Sequence, residues 1–392
     1  MFVLVINAGS SSLKYSLFKD ESRLVSGIVE RIGIEGSFHS WTLSDGSASR
    51  ADTVVGNHSQ AVSVVLDFLV SRSFISSLDE ISAVGHRVVH GGNFFSSPVI
   101  IDDSVKDAVR KCIPLAPLHN PNNLLGIEAC EKALPHAVHV AVFDTAFHST
   151  IPPVARLYPL PYELFERDGV LRYGFHGTSH EFVSHKAADF LNKKVEELRL
   201  ITLHLGNGCS ACAIRNGVSV DTTMGFTPLE GLMMGTRSGS IDPGIILFLL
   251  REKKLSVDDV DALLNKKSGL LGISGLSNDM RDLYTTNDRR AWLAIDMFAY
   301  RVAKTVGSYF AVLGGCDAIV FTGGIGEHVA VVREKVVSYL SPFGIFIDKD
   351  ANAKSMRVIS SAESKIPVLV IPTDEELMIA RKTAELAAGR DS

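Results

Sequence analysis

The chain has 392 residues, 46% of them hydrophobic and 21% charged, a length that suggests two domains at roughly 150 residues each. Its 39 basic and 44 acidic residues give a formal charge of −5 with no Lys/Arg block, which excludes the electrostatic footprint of a nucleic-acid or anionic-membrane binder. No apolar run approaches the roughly 18–20 residues that span a bilayer, and Met1–Ile6 is too short for a secretory signal core, so the expectation is a cytoplasmic protein.

In chain order, Phe2–Ile6 and Leu13–Phe18 read as strands joined by the turn Asn7-Ala-Gly-Ser-Ser-Ser12. A strand over Ala83–Val89 runs into Gly85-His-Arg87-Val-Val-His-Gly-Gly92, and Arg87 is a planar fork suited to an oxyanion. Leu118-His119-Asn-Pro leads into a helix over Pro121–Leu134, with Asn120 as N-cap and Pro121 at its first position. His139–Phe143 is a strand ending on Asp144, the place where α/β proteins present reactive side chains. Residues 151–161 hold four of the fourteen prolines and cannot form a continuous helix, so a domain boundary is expected there.

The opening design then returns. Leu200–Leu205, the turn Gly206-Asn-Gly208 and Cys209–Ile214 repeat strand–glycine turn–strand about 200 residues on, which argues for two related α/β halves from an internal duplication. Before it, Arg172-Tyr-Gly-Phe-His176-Gly-Thr-Ser precedes a helix whose Thr178 and Glu181 read as a capping box. After it, Arg237 lies on a loop between Gly235 and Gly239. Ala318–Thr322 enters the turn Gly323-Gly-Ile-Gly326, Val368–Ile371 is a last strand, and Thr373-Asp-Glu-Glu376 reads as a capping box that leaves Glu375 spare for the helix dipole or a metal.

Several motifs fail. There is no Gly-Lys of a Walker P-loop and no G-x-G-x-x-G, and Gly177 stands where a zinc protease would need Glu between His176 and His180. Cys209 and Cys212 have CxxC spacing, but on a strand they face opposite sides, so a structural role is expected; five cysteines make no disulfide framework. Three glycine turns, Gly9–Ser12, Gly206–Gly208 and Gly323–Gly326, could gather backbone N–H groups on phosphate or could simply be tight turns. Lys14 reads either as a phosphate contact or as a solvated strand lysine. His86, His90, His148, His180 and His204 read first as structural polar groups, and Asp144 either acts chemically or pairs with a neighbouring arginine.

Taken together, Asn7–Lys14, Gly85–Gly92, Pro117–Pro121, Val142–His148, Tyr173–His180, His204–Gly208 and Gly235–Gly239 closely resemble the acetate kinase (acetokinase) family, in order, from residue 2 to about 382. The resemblance implies an α/β fold of two ribonuclease-H-like, actin-like ATPase domains flanking an ATP cleft. Residues 1–147 and 372–392 would form an N-terminal acyl- and phosphate-binding domain, and 148–371 a nucleotide-binding and dimerisation domain. The implied reaction is reversible, Mg2+-dependent transfer of the γ-phosphoryl group of ATP to acetate, giving acetyl phosphate and ADP, with Mn2+ as the alternative metal and a homodimer as the assembly. The competing readings are a propionate kinase of the same family and a non-kinase ATPase switch of the superfamily.

By the same resemblance, Asn7 and Glu375 would position the metal and Lys14 would reach the ATP phosphates. His204, Leu205, Gly206, Asn207 and Gly208, with Asp279, Met280 and Arg281 and with Gly323, Gly324, Ile325, Gly326 and Glu327, would form the nucleotide pocket. Arg87 would hold the substrate carboxylate, Arg237 and His176 would stabilise the phosphoryl group, Asp144 would be the acid/base residue and His119 would line the phosphoryl path. Val89, Leu118, Phe175 and Pro228 match the small acyl pocket; similar propionate kinases tend to carry Ala where Val89 stands. This chain departs from the family pattern at His328 and Asp374, each replacing Asn. Acetate, with a pKa of ~4–5 like a Glu side chain, is already ionised at pH 7. No base is needed to make the nucleophile, so Asp144 is expected to orient an arginine, Arg87, instead of removing a proton.

Overall fold

The computed structural model describes residues 1–117 and 119–389. These divide into two compact units, Met1–Ala146 with the segment from Asp374 onward, and Phe147–Thr373. Leu118, expected in the acyl pocket, lies outside the described residues, as do 390–392.

Among the described residues the first unit holds an eight-stranded sheet. Its strands are β1 (Phe2–Ala8), β2 (Ser12–Lys19), β3 (Ser22–Glu30), β4 (Phe38–Leu43), β5 (Ala48–Asp52), β6 (Ile81–Val88), β7 (Val99–Ile100) and β8 (Val138–Phe143). They lie in the order β5-β4-β3-β2-β1-β6-β8-β7, with β1, β6 and β8 parallel. Central β1 is apolar at consecutive positions because both of its faces are covered. Leu4 and Ile6 join the core under the His58–Ser71 and Asn120–Ala133 helices, while Val3 and Val5 pack with Ile379 and Ala380 of the last helix, Glu375–Ala388. The strand's two-residue period thus sorts one run of hydrophobics into two cores.

The second unit has β9 (Arg199–Leu205), β10 (Cys209–Arg215), β11 (Val218–Thr222), β12 (Ala318–Thr322) and β13 (Val368–Val370) in the order β11-β10-β9-β12-β13. β9 pairs antiparallel with β10 and parallel with β12, as β1 does with β2 and β6. The series β3-β2-β1-β6-β8 and β11-β10-β9-β12-β13 are therefore the same topology twice, which is the duplication that the repeated glycine turn suggests.

Three helix starts differ from the sequence reading. The third helix begins at Asn120, so Pro121 is its second residue, and the Asn120 side chain instead brackets His90, accepting from its N–H at 3.2 Å and donating to its carbonyl at 3.0 Å. The Gly177–Leu191 helix is preceded by His176 in left-handed conformation at φ 57°, and Thr178 lies within its first turn. At the last helix Asp374, not Thr373, accepts the cap bond from Leu377 N–H at 2.9 Å. At Asn120 and Thr373 a tertiary contact outcompetes the local capping signature, Asn120 on His90 and Thr373 on Ser179. Cys209 and Cys212 both lie on β10 and are fully buried.

Candidate functional site

In the first unit, β6 and β8 run in parallel register with Arg87 opposite Val142. β8 ends one residue before Asp144, whose N–H is held by the Val88 carbonyl at 3.0 Å. That register brings Asp144 onto Arg87 in a two-pronged ion pair, Nε to Oδ1 at 2.9 Å and Nη2 to Oδ2 at 2.6 Å. The Asp144 side chain is 2% exposed and that of Arg87 23%. Arg87 Nη1 makes no hydrogen bond among the described residues, so one edge of the guanidinium remains available to a ligand carboxylate. Burial would lower the Arg87 pKa, but the charge and hydrogen bonds of Asp144, with Glu375 further off, outweigh it and raise it.

Glu375 opens the last helix, and its carboxyl pKa is raised, first by burial and then by the negative charges of Asp144 and Asp374, against Arg87 and Lys14. Asn7 stands across β1–β2 from Lys14. A carboxylate and an amide carbonyl are hard oxygen donors, and a cation would relieve the carboxylate's unfavourable surroundings, so these residues fit Mg2+. Among the described residues no three His, Cys, Asp or Glu side chains could hold a metal by themselves.

The extra charge of Asp374 is paired with Arg23, which also lies 3.6 Å from Glu376; Ser16 donates to Glu376 at 2.6 Å. Both neighbours of Glu375 are thus pinned to β2 and β3. Val89 is 6% exposed and its N–H donates to Asn123 Oδ1 at 3.1 Å, while Asn123 Nδ2 donates to the Ala8 carbonyl at 3.0 Å. Asn123 therefore ties the end of β6 to the end of β1. His119 is the N-cap residue of the same helix, its N–H on the Ala116 carbonyl at 3.1 Å.

In the second unit, Gly206–Gly208 forms the turn between β9 and β10, closed by Gly206 N–H to the Gly208 carbonyl at 3.1 Å. A Cβ on Gly208 would stand 3.4 Å from His176 Nε2 and 3.7 Å from Arg237 Nη2, so the turn, the histidine and the arginine converge on one point. The His176 ring stacks on His204 at 4.2 Å between centroids, and its Nδ1 lies 2.8 Å from Ser210 Oγ. His204 Nδ1 in turn meets Ser179 Oγ at 2.8 Å, which reaches Thr373.

Arg237 donates to the Pro228 carbonyl at 2.8 Å and lies 3.6 Å from the Met234 sulfur; no carboxylate pairs with it among the described residues. Burial lowers its pKa. Its loop is tied to the glycine turn by Gly235 N–H on the Asn207 carbonyl at 3.0 Å.

The Gly323–His328 helix follows β12 directly. Gly323 is left-handed at φ 76°, and a Cβ there would lie 2.8 Å from the Leu205 carbonyl, so this turn requires glycine. Glu327 closes it by accepting from Gly323 N–H at 2.9 Å and Thr373 N–H at 3.2 Å. Buried Arg333 holds the far end, donating to the Gly326 and Glu327 carbonyls, both at 2.9 Å. Gly324, by contrast, has open space where its Cβ would be. Asp279 caps the Met280–Tyr284 helix and pairs with exposed Arg281 at 2.6 Å. Leu205, Met280, Ile325 and Phe175 are buried, and His328 is exposed.

The sequence reading took Asn120 for a helix cap and overlooked Asn123, Ser210, Ser179 and Arg333, which together with it position the expected residues. Only Asn-Pro-Asn-Asn, a run of polar amides in a helix start, carried a signal; the others carry no local signal, and their partners depend on strand register and helix packing.

The profile of the acetokinase family matches residues 2–381. An acetate kinase of Caldicellulosiruptor saccharolyticus is 54% identical over 397 residues, covering 98% of this chain and 99% of its own. The crystal structure of Porphyromonas gingivalis acetate kinase is 47% identical and superposes with a TM-score of 0.92 over 98% of this chain and 99% of that one. A propionate kinase from Francisella tularensis subsp. tularensis SCHU S4 is 43% identical, with a TM-score of 0.93 over the same shares. The α/β fold is thus the duplicated, actin-like ATPase architecture expected from the motifs.

Proposed function

The chain belongs to the acetokinase family, phosphotransferases with a carboxyl group as acceptor, and from that premise we propose that it transfers the γ-phosphoryl group of ATP reversibly to acetate, forming acetyl phosphate and ADP. The observation that carries this reading is the Arg87–Asp144 pair with Nη1 of Arg87 left over. Acetate reaches the enzyme as an anion, with a pKa of ~4–5, and needs to be held and aimed, not deprotonated. Both Asp144 oxygens are engaged by Arg87, so Asp144 is a positioning residue that fixes the guanidinium plane, and Nη1 presents N–H groups to the acetate carboxylate.

Phosphoryl transfer spreads charge over three equatorial oxygens, and catalysis is mainly electrostatic stabilisation and positioning. Arg237 and His176, converging beside Gly208, supply donors to those oxygens. The Gly206–Gly208 and Gly323–Gly326 turns, with Asp279–Arg281, form the nucleotide-binding set, and Lys14 adds a point charge for phosphate. Asn7 and Glu375 would hold Mg2+, which when bound neutralises phosphate charge and orients the chain of phosphates. Val89, Phe175 and Pro228 bound the acyl group, with His119 on the phosphoryl path. The proposed use of ATP supports a cytoplasmic location.

A second copy of the chain is the proposed partner. The Pro243–Arg251 helix has no buried residue, and Ile245, Leu247 and Phe248 are 43–49% exposed. An apolar helix face of this kind needs a cover. Phe248→Asp is expected to convert a dimer to a monomer in light-scattering mass measurements; a monomeric unaltered protein would remove the proposal.

The reaction is tested by trapping acyl phosphate as hydroxamate with ATP, Mg2+ and acetate, propionate or butyrate. Acetate is expected to give the largest kcat/KM. Faster trapping with propionate would favour propionate kinase, the reading supported by the close propionate kinase structure. ATP consumption without trapped product would overturn both and favour an ATPase switch.

A further inference from the structure

The hydrogen bonds behind His176 form a chain that runs back into the second unit's sheet. Thr202 Oγ1 on β9 lies 2.7 Å from His180 Nδ1, His180 Nε2 lies 2.8 Å from Ser210 Oγ on β10, and Ser210 Oγ lies 2.8 Å from His176 Nδ1. Thr202, His180 and Ser210 are all 0% exposed, and among the described residues their side chains make no other hydrogen bond. Burial, with the neighbouring His148 and His204, holds the His180 pKa well below its ordinary value. His180 is therefore neutral and carries a single ring proton.

Protons can be arranged along this chain in two directions. In the inward direction His176 Nδ1–H donates to Ser210, Ser210 donates to His180 Nε2, and His180 Nδ1–H donates to Thr202. The Thr202 hydroxyl proton then has no acceptor in a position closed to water, which carries the full cost of its desolvation. In the outward direction Thr202 donates to His180 Nδ1, His180 Nε2–H donates to Ser210, and Ser210 donates to His176 Nδ1. Every proton then has an acceptor, and the one ring proton of neutral His176 is left on Nε2.

We infer that the Thr202–His180–Ser210 chain runs outward and fixes His176 as the Nε2–H tautomer, so that a neutral imidazole presents an N–H beside Arg237. The Nε2–Cε1 edge of His176 faces the Gly208 point shared with Arg237 Nη2, and Nε2 is the ring nitrogen on that edge. A lone pair there would repel a phosphoryl oxygen, whereas an N–H donates to it. The left-handed backbone of His176, uncommon for a residue with a Cβ, holds the ring against this chain. Ser210 and His180 are positioning residues, and Thr202 sets the direction. The catalytic use of the N–H rests on the phosphotransfer reading; the tautomer does not.

The experiment is long-range 1H–15N correlation on the full chain labelled with 15N-histidine, at pH 7.5, with His176 and His180 assigned through their Gln variants. Both histidines are expected as Nε2–H tautomers. Ser210→Ala is expected to shift His176 toward a mixture of tautomers and to lower kcat about tenfold, with KM for ATP and acetate within about twofold, less than the roughly 10²–10³-fold loss of a whole donor because part of the Nε2–H population remains. Ser210→Thr, which keeps the hydroxyl, restores both. His176→Gln, whose amide nitrogen can stand where Nε2 stands, is expected to retain more kcat than His176→Asn. An Nδ1–H tautomer or an imidazolium at His176, or a tautomer unmoved by Ser210→Ala, overturns the chain's direction. An Nε2–H tautomer together with unchanged kcat in Ser210→Ala, or Gln no better than Asn, overturns the catalytic use while the tautomer stands.

Discussion

Arg87 in the first unit is forked onto a carboxylate at the end of the neighbouring strand, whereas among the described residues Arg237 in the second meets only a backbone carbonyl and a thioether sulfur. Their environments push in opposite directions: Asp144 holds Arg87 protonated, and burial without a counter-ion weakens the hold of Arg237 on its charge. An arginine already neutralised by a fixed carboxylate is a geometric template, suited to a monoanion that must enter, be aimed and leave. One without a counter-ion carries unmet positive charge, which is relieved most by the group that gathers the most negative charge. Two copies of one strand order have thus been equipped for different tasks, orientation in one and charge stabilisation in the other, on the reaction proposed above.

The sharpest way to break this division is to remove each arginine in turn. Arg237→Ala is expected to lower kcat by about 10³-fold, with acetate KM changed by less than about tenfold, the pattern of an interaction made mainly in the transition state. Arg87→Ala is expected to raise acetate KM by about 10²-fold, the larger part of its effect on kcat/KM, because it removes binding made in both ground and transition states. Steady-state kinetics of hydroxamate formation separates the two, and identical signatures would refute the division. Asp144→Asn, which keeps the shape but removes the negative charge and one of the two accepting oxygens, is expected to fall between wild type and Arg87→Ala with the same pH–rate shape. If that variant lost one basic limb while the position of Arg87 was unchanged, Asp144 would be a base after all.

The strand ends carrying Arg87 and Asp144, and the glycine turns, were legible because hydrophobic runs closed by Gly or Asp are local signals. The hydrogen-bond partners were not. Thr178 and Thr373 each satisfied a capping signature that the folded chain leaves unused, since His176 turns left-handed and Asp374 takes the cap. Ser210 and Thr202 matter through residues tens of positions away that only the β9–β10 register reveals, and Arg333 through its packing under the Gly323 turn. The charge that Asp374 brings beside Glu375 in place of the family's Asn is paired with Arg23.

The comparison extends from arginines to buried histidines. His39 on β4 is 4% exposed, lies within 5.6 Å of the Tyr15, Trp41 and Phe68 rings, and meets Tyr15 Oη at 2.8 Å. Burial lowers its pKa to about 4. Protonation therefore favours the unfolded chain, so its contribution to stability is complete above about pH 6.5 and is lost as pH falls toward 4, by about 2 kcal/mol at pH 5. The chain's two tryptophans, Trp41 and Trp292, fall one in each unit and report them separately. Urea unfolding followed by Trp41 in Trp292→Phe is expected to weaken between pH 7 and pH 5, and His39→Gln to flatten that dependence by about 2 kcal/mol, roughly 30-fold in the folded ratio. A slope unaltered by His39→Gln would assign the acid sensitivity of this unit to His86 and His139, whose pKa values burial also lowers.

The smallest expected effect asks whether the unit that orients the carboxylate also measures the acyl chain. Val89 follows the end of β6, two residues beyond Arg87, and Asn123 fixes its backbone, so a side chain that bounds the acyl group as proposed has little freedom to retreat from a larger substrate. Val89→Ala removes two methyl groups without moving that anchor. A methylene in an apolar pocket is worth ~1–3 kcal/mol, and partial relaxation of the neighbours puts the expectation near about 1 kcal/mol, or roughly fivefold. The acetate/propionate ratio of kcat/KM is therefore expected to fall about fivefold, and taking the ratio cancels any loss of stability common to both substrates. If the ratio is unchanged in Val89→Ala but moves in Phe175→Leu, acyl size is read by the second unit. The first would then orient the carboxylate without measuring what is attached to it.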